Sequence, residues 1–300
     1  MLALIIPYYK LTFFEATLES LANQTDKRFK VYIGDDASPE SPVGLLEKYE
    51  GKFDFVYHRF ETNLGAASLV KQWERCIELS NNEEWIMILG DDDMLEKNVV
   101  EAWYLHYEVF IEQSNIVRFA TKVILETTQT ISSVYLHPVW EKPADAFVRI
   151  FKQQTRSSLS EYVFSKKKYL KYGFTDYPLA WCSDYKALLD FSEGKLIYTV
   201  NESIVFFRIS NINISGRQDN VFLKNEINIR FFKDIVVNKM NLFDKPQRLE
   251  LLMAYEIAIK RNREPEYYEW FFIIKLYLLN FELVSFVKCV RRFYISILKI

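Results

Sequence analysis

Cysteine and histidine are scarce in this chain, which contains three of each among its 300 residues. Cys76, Cys182 and Cys289 lie far apart and match neither the spacing of a zinc site nor that of a disulfide framework. We therefore expect them to remain reduced in a cytosolic setting. The histidines are isolated from one another, and histidines without partner spacing are usually structural or solvated.

A strong charge of either sign and a long uncharged hydrophobic run are also missing. The formal net charge is −2, so nothing indicates nucleic-acid binding. A bilayer-spanning helix needs about 20 nearly uncharged residues, which the sequence does not provide. Met1 is followed at once by strand-like residues, and we expect no secretory signal. The residues that are present, 50% hydrophobic and 16% aromatic, suffice for a large buried core.

Strand-like and helix-like segments alternate along the first third of the chain, which is typical of a parallel sheet with right-handed crossovers. The pattern predicts strands at 2–6, 29–34, 53–59 and 85–89, with helices at 14–23 and 65–80. Ser38 is predicted to cap a further helix that begins at Pro39. Farther along, the pattern predicts strands at 116–124, 160–169 and 195–209, helices at 99–109 and 181–191, and helical structure from about residue 220 onward.

Polar or acidic segments follow three of the predicted strands, at 7–9, 35–36 and 91–93. Ligands of parallel α/β sheets bind outside the carboxyl ends of the strands. We therefore expect the three segments to converge on one edge of the sheet and to form a ligand site there.

The most unusual of these segments is "LGDDDML", in which Asp91, Asp92 and Asp93 stand side by side. Neighbouring carboxylates repel, whereas a hard cation such as Mg²⁺ or Mn²⁺ binds one or two carboxylates together with substrate phosphates. A metal site is one interpretation. In the other, Asp93 caps a helix that begins near Leu95 and the remaining two carboxylates are solvated. The pair at 35–36 has a comparable alternative, an Asx-turn.

The ordered segments "LIIPYY", "VYIGDDASPE", "NLGAA" and "WIMILGDDDML", with a weaker match at "WCSDYKALL", resemble the GT-A-fold glycosyltransferases of family 2. Members of that family transfer sugars from nucleotide donors. The resemblance implies an α/β fold with a Rossmann-like mixed sheet flanked by helices. It also implies a catalytic domain at 1–215, with a nucleotide-sugar-binding half at 1–98 and an acceptor-binding half at 99–215, and a helical C-terminal region at 216–300.

The resemblance assigns the donor side of the site. Asp92 falls at the metal ligand of the family's DxD motif, in which Gly90 replaces the first aspartate. The implied cofactor is Mn²⁺ or Mg²⁺. The residues implied to contact the nucleotide are Pro7, Tyr9, Asp35, Asp36, Asn63 and Asp91.

The resemblance also assigns the acceptor side. Asp184 falls at the family's general base, beside Ser183 in place of the usual glutamate, and Asp176 is a second candidate base. Alternatively, Asp184 is only a first-turn residue that the helix dipole favours. The further candidates for acceptor or phosphate contacts are Asp93, Trp181 and Arg208, the last of which has a surface ion pair as its alternative role.

By resemblance, we expect a metal-dependent inverting glycosyltransferase of capsule or O-antigen polysaccharide biosynthesis. Its expected partners are a nucleoside-diphosphate sugar and a saccharide or lipid-linked saccharide acceptor, with no nucleic acid. The stretch 270–300 mixes aromatic residues with Lys and Arg, which suits an interfacial helix at an anionic membrane surface. The alternative is a helical pair that packs on the catalytic domain. The expected location is cytoplasmic, with or without peripheral contact at the inner face of the cell membrane.

Other functions fit parts of the sequence. A sugar-phosphate nucleotidyltransferase requires a glycine-rich loop after the first strand, and "IPYYKLTFF" contains no glycine. A processive synthase is disfavoured because the sequence has no Gln-x-x-Arg-Trp segment. A catalytically silent sugar- or partner-binding protein that retains the fold is the main alternative, because Gly90 and Ser183 depart from the family pattern.

Overall fold

The computed structural model describes residues 1–280 and 283–298, and the chain forms two compact units. The first unit is Met1–Arg217 and the second is Gln218–Ile300. All residues predicted to form the site belong to the first unit.

The first unit combines a large sheet with helices. Its strands are Leu2–Tyr8 (β1), Phe29–Asp35 (β2), Asp54–Arg59 (β3), Trp85–Ile88 (β4), Met94–Leu95 (β5), Ile116–Leu125 (β6), Thr130–Ile131 (β7), Trp140–Glu141 (β8), Tyr162–Ser165 (β9) and Ile197–Ile209 (β10). Its helices are Phe14–Ala22 (α1), Val43–Leu46 (α2), Leu69–Glu78 (α3), Val99–Phe110 (α4), Pro143–Phe151 (α5), Lys166–Tyr172 (α6) and Ser183–Phe191 (α7).

The sheet is mixed, as the resemblance implies. Its strand order is β3-β2-β1-β4-β9-β6-β10-β5, with β7 beside β6 and β8 beside β10. The neighbours β1 to β4 pair in parallel, whereas β9 is antiparallel to both β4 and β6. The carboxyl ends of the first four strands therefore meet at one edge, and the loops that follow them are neighbours there.

The core lies on both faces of the sheet. Successive side chains of a strand point to opposite faces, and β1 illustrates this alternation. Leu2, Leu4 and Ile6 belong to one buried cluster with side chains of α1 and α4, whereas Ala3 and Ile5 belong to a second cluster with side chains of α3 and α7. Because helices cover both faces, β1 is a continuous apolar run rather than an alternating one.

Two predictions of local structure are wrong. No helix begins at Pro39: the Ser38 hydroxyl donates to the carbonyl of Tyr9 at 2.6 Å and accepts from the backbone N–H of Glu40 at 3.0 Å within a loop, and α2 begins only at Val43. The strand predicted at 160–169 is shorter, since β9 ends at Ser165 and α6 follows it directly.

The second unit is helical, as predicted, and consists of Val221–Asn238 (α8), Lys245–Lys260 (α9), Tyr267–Leu279 (α10) and Leu283–Leu298 (α11). Each of these helices packs against the next one along the chain. The buried carboxylate of Glu256 in α9 accepts hydrogen bonds from Lys260 at 2.8 Å and from Arg292 of α11 at 2.7 Å. Within 1–280 and 283–298, no helix combines the length and the apolar character that crossing a bilayer requires.

We expect Leu4→Ala to lower the free energy of unfolding by about 2–5 kcal/mol, because it leaves a cavity at a side chain with no exposed surface. Urea unfolding followed by tryptophan fluorescence measures the change. The control is Leu105→Ala on α4, where 75% of the side chain is exposed and a change within about 0.5 kcal/mol is expected. Equal losses for the two variants would contradict the placement of β1 in the core.

Candidate active site

A cavity of about 720 Å³ opens in the first unit and collects most of the predicted site residues. Its wall is built by the loops that follow β1 to β4 and by the segment that leads into α7. The predicted residues on the wall are Pro7, Tyr9, Asp36, Asn63, Asp91, Asp92, Asp93, Trp181 and Asp184. Asp35 and Arg208 are buried and lie outside this wall.

Asp91 ties the end of β4 to the loop after β1. Its Oδ2 accepts hydrogen bonds from the backbone N–H groups of Tyr9 at 2.7 Å and Lys10 at 2.8 Å. On the other side, the Thr17 hydroxyl of α1 donates to the carbonyl oxygens of Asp91 at 3.1 Å and Asp93 at 2.8 Å. Bonds from N–H groups to a carboxylate are stronger than bonds between neutral groups, so the two loops are held in one arrangement.

Asp93 is buried, and both of its carboxylate oxygens accept hydrogen bonds. Oδ1 accepts from the backbone N–H of Arg208 at 2.8 Å, and Oδ2 accepts from the Ser160 hydroxyl at 2.5 Å. The interpretation of Asp93 as a helix cap is wrong, because Met94–Leu95 pairs with β10 as strand β5 and α4 begins only at Val99.

Arg208 holds the backbone of the acidic segment, Asp91 to Asp93, in place. Its Nε donates to the carbonyl oxygen of Asp92 at 2.8 Å, its guanidinium pairs with Glu126, and the same group lies 4.4 Å from the ring centroid of Phe13. The Asp92 side chain itself points elsewhere, and its Oδ2 accepts from the Asn213 amide at 3.0 Å. A direct contact of Arg208 with a phosphate stays a prediction.

Gly90 is needed because the carboxylates fold back over it. A Cβ atom at this position would lie 2.9 Å from Oδ2 of Asp93 and 3.0 Å from Oδ1 of Asp92. The Asp93 carboxylate cannot give way without losing two hydrogen bonds. The departure from the DxD pattern at position 90 therefore follows from crowding between neighbouring carboxylates.

The acidic segment carries more negative charge than its surroundings compensate. Burial raises the pKa of Asp91 to about 7 and that of Asp93 to about 8, and the charge of Asp92 between them adds to both shifts. Burial also raises the pKa of Asp92, although the hydrogen bond from Asn213 and the charge of Arg208 oppose this shift. A cation at this position would relieve the repulsion.

The oxygen donors present fit a hard divalent cation. Among the described residues, no group of three or more His, Cys, Asp or Glu side chains is arranged to hold a metal ion. A cation of the Mg²⁺ type, however, commonly takes only one or two carboxylates and fills its other positions with substrate phosphates and water. Asp92 is the residue that would hold it, because it lines the cavity with insufficiently compensated charge, and Asp91 lies beside it.

Asp36 organises the loop after β3 and also lines the cavity. Its carboxylate accepts hydrogen bonds from the backbone N–H groups of Leu64 at 2.7 Å and Gly65 at 2.9 Å, and it pairs with Arg75. A Cβ atom on Gly65 would lie 2.5 Å from Oδ2 of Asp36. Only glycine therefore allows this close approach of the loop backbone to the carboxylate.

Asp35 is engaged by neighbouring residues of the protein. Its Oδ1 accepts from the backbone N–H of Ser38 at 2.8 Å, and its Oδ2 accepts from the Tyr57 hydroxyl and from Arg59, both at 2.7 Å. The bond to Ser38 reaches three residues along the chain, not the two of the Asx-turn that the sequence offers as an alternative. A contact of Asp35 with the nucleotide stays a prediction.

The backbone that leads into α7 is strained. Leu179, Ala180 and Cys182 have φ angles of 59°, 50° and 69°, in a region that residues with side chains rarely adopt. Such conformations cost about 1–3 kcal/mol each and cluster at functional sites. Here they form part of the cavity wall with Trp181 and place Asp184 in the first turn of the helix.

The carboxyl group of Asp184 has a raised pKa. Burial raises its pKa to about 7, the negative charge of Glu161 adds to the shift, and the positive charge of Arg156 opposes it. A carboxyl group that titrates near neutrality is suited to proton transfer. Asp176, in contrast, is exposed, lies outside the cavity wall and accepts a 2.8 Å hydrogen bond from Ser68 at the start of α3.

Sequence reasoning missed three side chains of this cavity. Ser160 and Asn213 contact the acidic segment from 67 and 121 residues away along the chain. Arg156 also lines the cavity, and its positive charge opposes the rise in the pKa of Asp184. Arg156 and Asn213 belong to irregular segments and Ser160 to a single 3-10 turn, and in none of them does a periodic pattern indicate the direction of a side chain.

Residues 3–117 match the sequence model of a family described as glycosyl transferase family 2. A protein of Haemophilus influenzae, described as an uncharacterized glycosyltransferase, is 37% identical over 94 residues. The aligned residues make up 31% of this chain and 30% of that protein, so the chain spans less than a third of the curated relative it matches.

The fold is similar to solved structures of S. aureus TarS. The crystal structure of TarS 1–349 in complex with UDP-GlcNAc has a TM-score of 0.66 at 13% identity, with 98% of this chain and 81% of that chain covered. A crystal structure of TarS 1–349 without named ligand gives 0.63 at 14% identity, with 96% and 80% covered. At such identities the likeness concerns the fold alone. The expected resemblance is thereby confirmed: residues 3–117 match the family 2 glycosyl transferases, and the chain has the predicted GT-A-type α/β fold.

Proposed function

We propose that the protein is a metal-dependent inverting glycosyltransferase that moves a sugar from a nucleoside-diphosphate donor to a saccharide or lipid-linked acceptor in surface-polysaccharide assembly. One observation carries the proposal: a single cavity is lined both by the acidic segment around Asp92 and by Asp184, whose pKa is raised to about 7. The family match over residues 3–117 supports glycosyl transfer. The UDP-GlcNAc bound in one TarS structure makes a UDP-sugar the first donor to test.

The donor occupies the end of the cavity formed by the loops after β1 to β4. The nucleotide base lies against Pro7 and Tyr9 and within reach of Asp36, and the ribose lies near Asp91. Asn63 borders the nucleotide from the loop after β3. When bound at Asp92, a divalent cation stabilises the negative charge of the departing diphosphate.

Asp184 performs the proton transfer. Its carboxylate accepts the proton of the acceptor hydroxyl while the hydroxyl oxygen forms a bond to the anomeric carbon of the donor sugar. The bond from that carbon to the diphosphate oxygen breaks on the opposite face, and the nucleoside diphosphate leaves with the electron pair. The configuration at the anomeric carbon is therefore inverted. Trp181 provides an apolar platform that orients the acceptor ring.

Asp184→Asn is expected to slow sugar transfer by about 10²- to 10⁴-fold, because it removes the general base, and to leave nucleotide affinity unchanged. Asp92→Asn is expected to weaken UDP binding in the presence of Mn²⁺ and to have little effect without it. UDP release from a panel of nucleotide sugars beginning with UDP-GlcNAc measures turnover, and calorimetric titration with UDP measures binding.

The matched control is Asp54→Asn on β3, where 64% of the side chain is exposed, and it should retain both properties. If wild type releases UDP no faster than Asp184→Asn with every donor, the proposed enzymatic activity is contradicted. Nucleotide binding without turnover would instead identify a catalytically silent binding protein.

The raised pKa of Asp184 also predicts a pH-dependent stability. An unfolded aspartate loses its proton near 3.8, whereas Asp184 in the folded protein keeps its proton up to about pH 7. The native state therefore binds more protons in this window, and stability from this group is lost as pH rises through it. Asp184→Asn should gain stability relative to wild type from about pH 4 to 7 and keep the gain above that. Urea unfolding across pH tests this, and a pH-independent difference would contradict the raised pKa.

The second unit provides the contact with the membrane. Its last two helices expose many apolar and aromatic side chains, namely Tyr267, Tyr268, Phe271, Leu278, Leu279, Leu283, Val284, Val287, Tyr294, Ile295 and Leu298. Exposed basic residues lie among them at Lys275, Lys288 and Arg291. This combination suits the surface of an anionic bilayer, where a lipid-linked acceptor is presented.

The double variant Phe271→Ser/Val287→Ser is expected to lose binding to vesicles of phosphatidylcholine and phosphatidylglycerol, because 62% and 56% of these two residues are exposed. Sedimentation with vesicles measures binding, which should also fall when salt screens the basic residues. Leu170→Ser on α6, 71% exposed, is the control and should bind like wild type. Undiminished sedimentation of the double variant would rule out this surface.

A further inference from the structure

Arg156 stands on the cavity wall in the irregular segment between α5 and β9. Its guanidinium lies over the ring of Phe207, 4.3 Å from the centroid. An arginine offers five N–H donors in a rigid, planar fork. Here the stacking fixes the plane of that fork and leaves its edges for hydrogen bonding.

The guanidinium of Arg156 has few partners within the protein. Among the residues that the structure describes, its one hydrogen bond is a long one of 3.5 Å from Nη2 to the carbonyl of Ser157, and the buried Nη1 has no hydrogen-bond partner. A buried donor left unsatisfied is destabilising, because its lost hydration is not replaced. The side chain is only 16% exposed, so water supplies little compensation.

Glu161 neutralises this charge only in part. The distance from Nη1 of Arg156 to Oε2 of Glu161 is 3.6 Å, which is an ion pair without a hydrogen bond. The same oxygen already accepts hydrogen bonds from the backbone N–H and the hydroxyl of Ser158, at 3.0 and 3.1 Å. Oε2 of Glu161 is therefore held by the turn before β9, whereas its buried Oε1 has no hydrogen-bond partner among the described residues.

The charge of Arg156 acts on the acceptor side of the cavity. Arg156 and Asp184 both line the cavity. Burial raises the pKa of Asp184, and the positive charge of Arg156 opposes this shift. Arg156 is therefore a positive group on the wall that carries the proposed base, where the acceptor would bind.

We propose that Arg156 binds an anionic group, a carboxylate or a phosphate, of the sugar acceptor. The inference rests on the proposed function and names its acceptor class as an acidic saccharide. A carboxylate or phosphate on Arg156 receives N–H donors from the edge of the guanidinium that lines the cavity. The acceptor hydroxyl is then oriented toward Asp184 by a group that a neutral saccharide lacks.

Binding of probe compounds tests the inference without turnover. We expect wild type to bind methyl glucuronide and inorganic phosphate, and to bind the neutral methyl glucoside about 10- to 100-fold more weakly than the glucuronide. Arg156→Gln should lose this preference, and Arg156→Lys should retain only part of it, because lysine keeps the charge but not the fork. Calorimetric titration measures all three probes, and a parallel titration with UDP and Mn²⁺ measures the donor side.

The matched control is Arg28→Gln. Arg28 also lies over an aromatic ring, 3.8 Å from the centroid of Tyr104, but it pairs with Asp26 and lies outside the cavity. It should keep the preference for the acidic probe.

The inference is overturned if wild type binds the acidic and neutral probes equally. It is also overturned if Arg156→Gln, unfolding like wild type, shows an unchanged preference. Weakened UDP binding in Arg156→Gln also overturns it and assigns Arg156 to the donor. A wild type that fails to bind UDP yet prefers the acidic probe supports the anion site and counts against the proposed function alone.

Discussion

Repulsion among three adjacent carboxylates at the end of one buried strand is the constraint on which the site depends. Asp91, Asp92 and Asp93 are placed at the edge of the sheet where burial and mutual charge raise their pKa values. Backbone N–H groups, a serine hydroxyl and one arginine hold them in place without cancelling their charge. Asp91 and Asp93 therefore keep protons up to near neutral pH, and a cation beside Asp92 would favour the release of these protons.

Another part of the cavity wall has a different electrostatic character. Burial raises the pKa of the single carboxyl group of Asp184 to about 7. The backbone before it contains residues with positive φ angles, a conformation that costs energy. Arg156 adds a positive charge there that the protein only partly satisfies. One wall thus suits a charged leaving group, and the other suits proton transfer and recognition of a second substrate. Sugar transfer between two bound molecules requires this division of roles.

The parts of the site that the sequence predicts are those that regular structure places. Asp92 is predictable because the apolar run before it identifies a strand, and strand ends of a parallel sheet converge. The partners of Asp93 cannot be predicted from the sequence, because tertiary packing brings Arg208 and Ser160 to it from 115 and 67 residues away along the chain. The starts of α1 and α4 are predicted correctly at Phe14 and Val99. The helix expected at Pro39 does not form, although Ser38 is a good capping residue, and its hydroxyl bonds Tyr9 and Glu40 within a loop.

The most direct test of the central claim is a crystal structure of the protein with Mn²⁺ and a bound UDP-sugar, with anomalous scattering to locate the manganese. The account predicts a manganese peak about 2 Å from a carboxylate oxygen of Asp92 and in contact with the diphosphate. A nucleotide bound with no manganese at the acidic segment, and with the Asp92 carboxylate still bonded to Asn213, would contradict it.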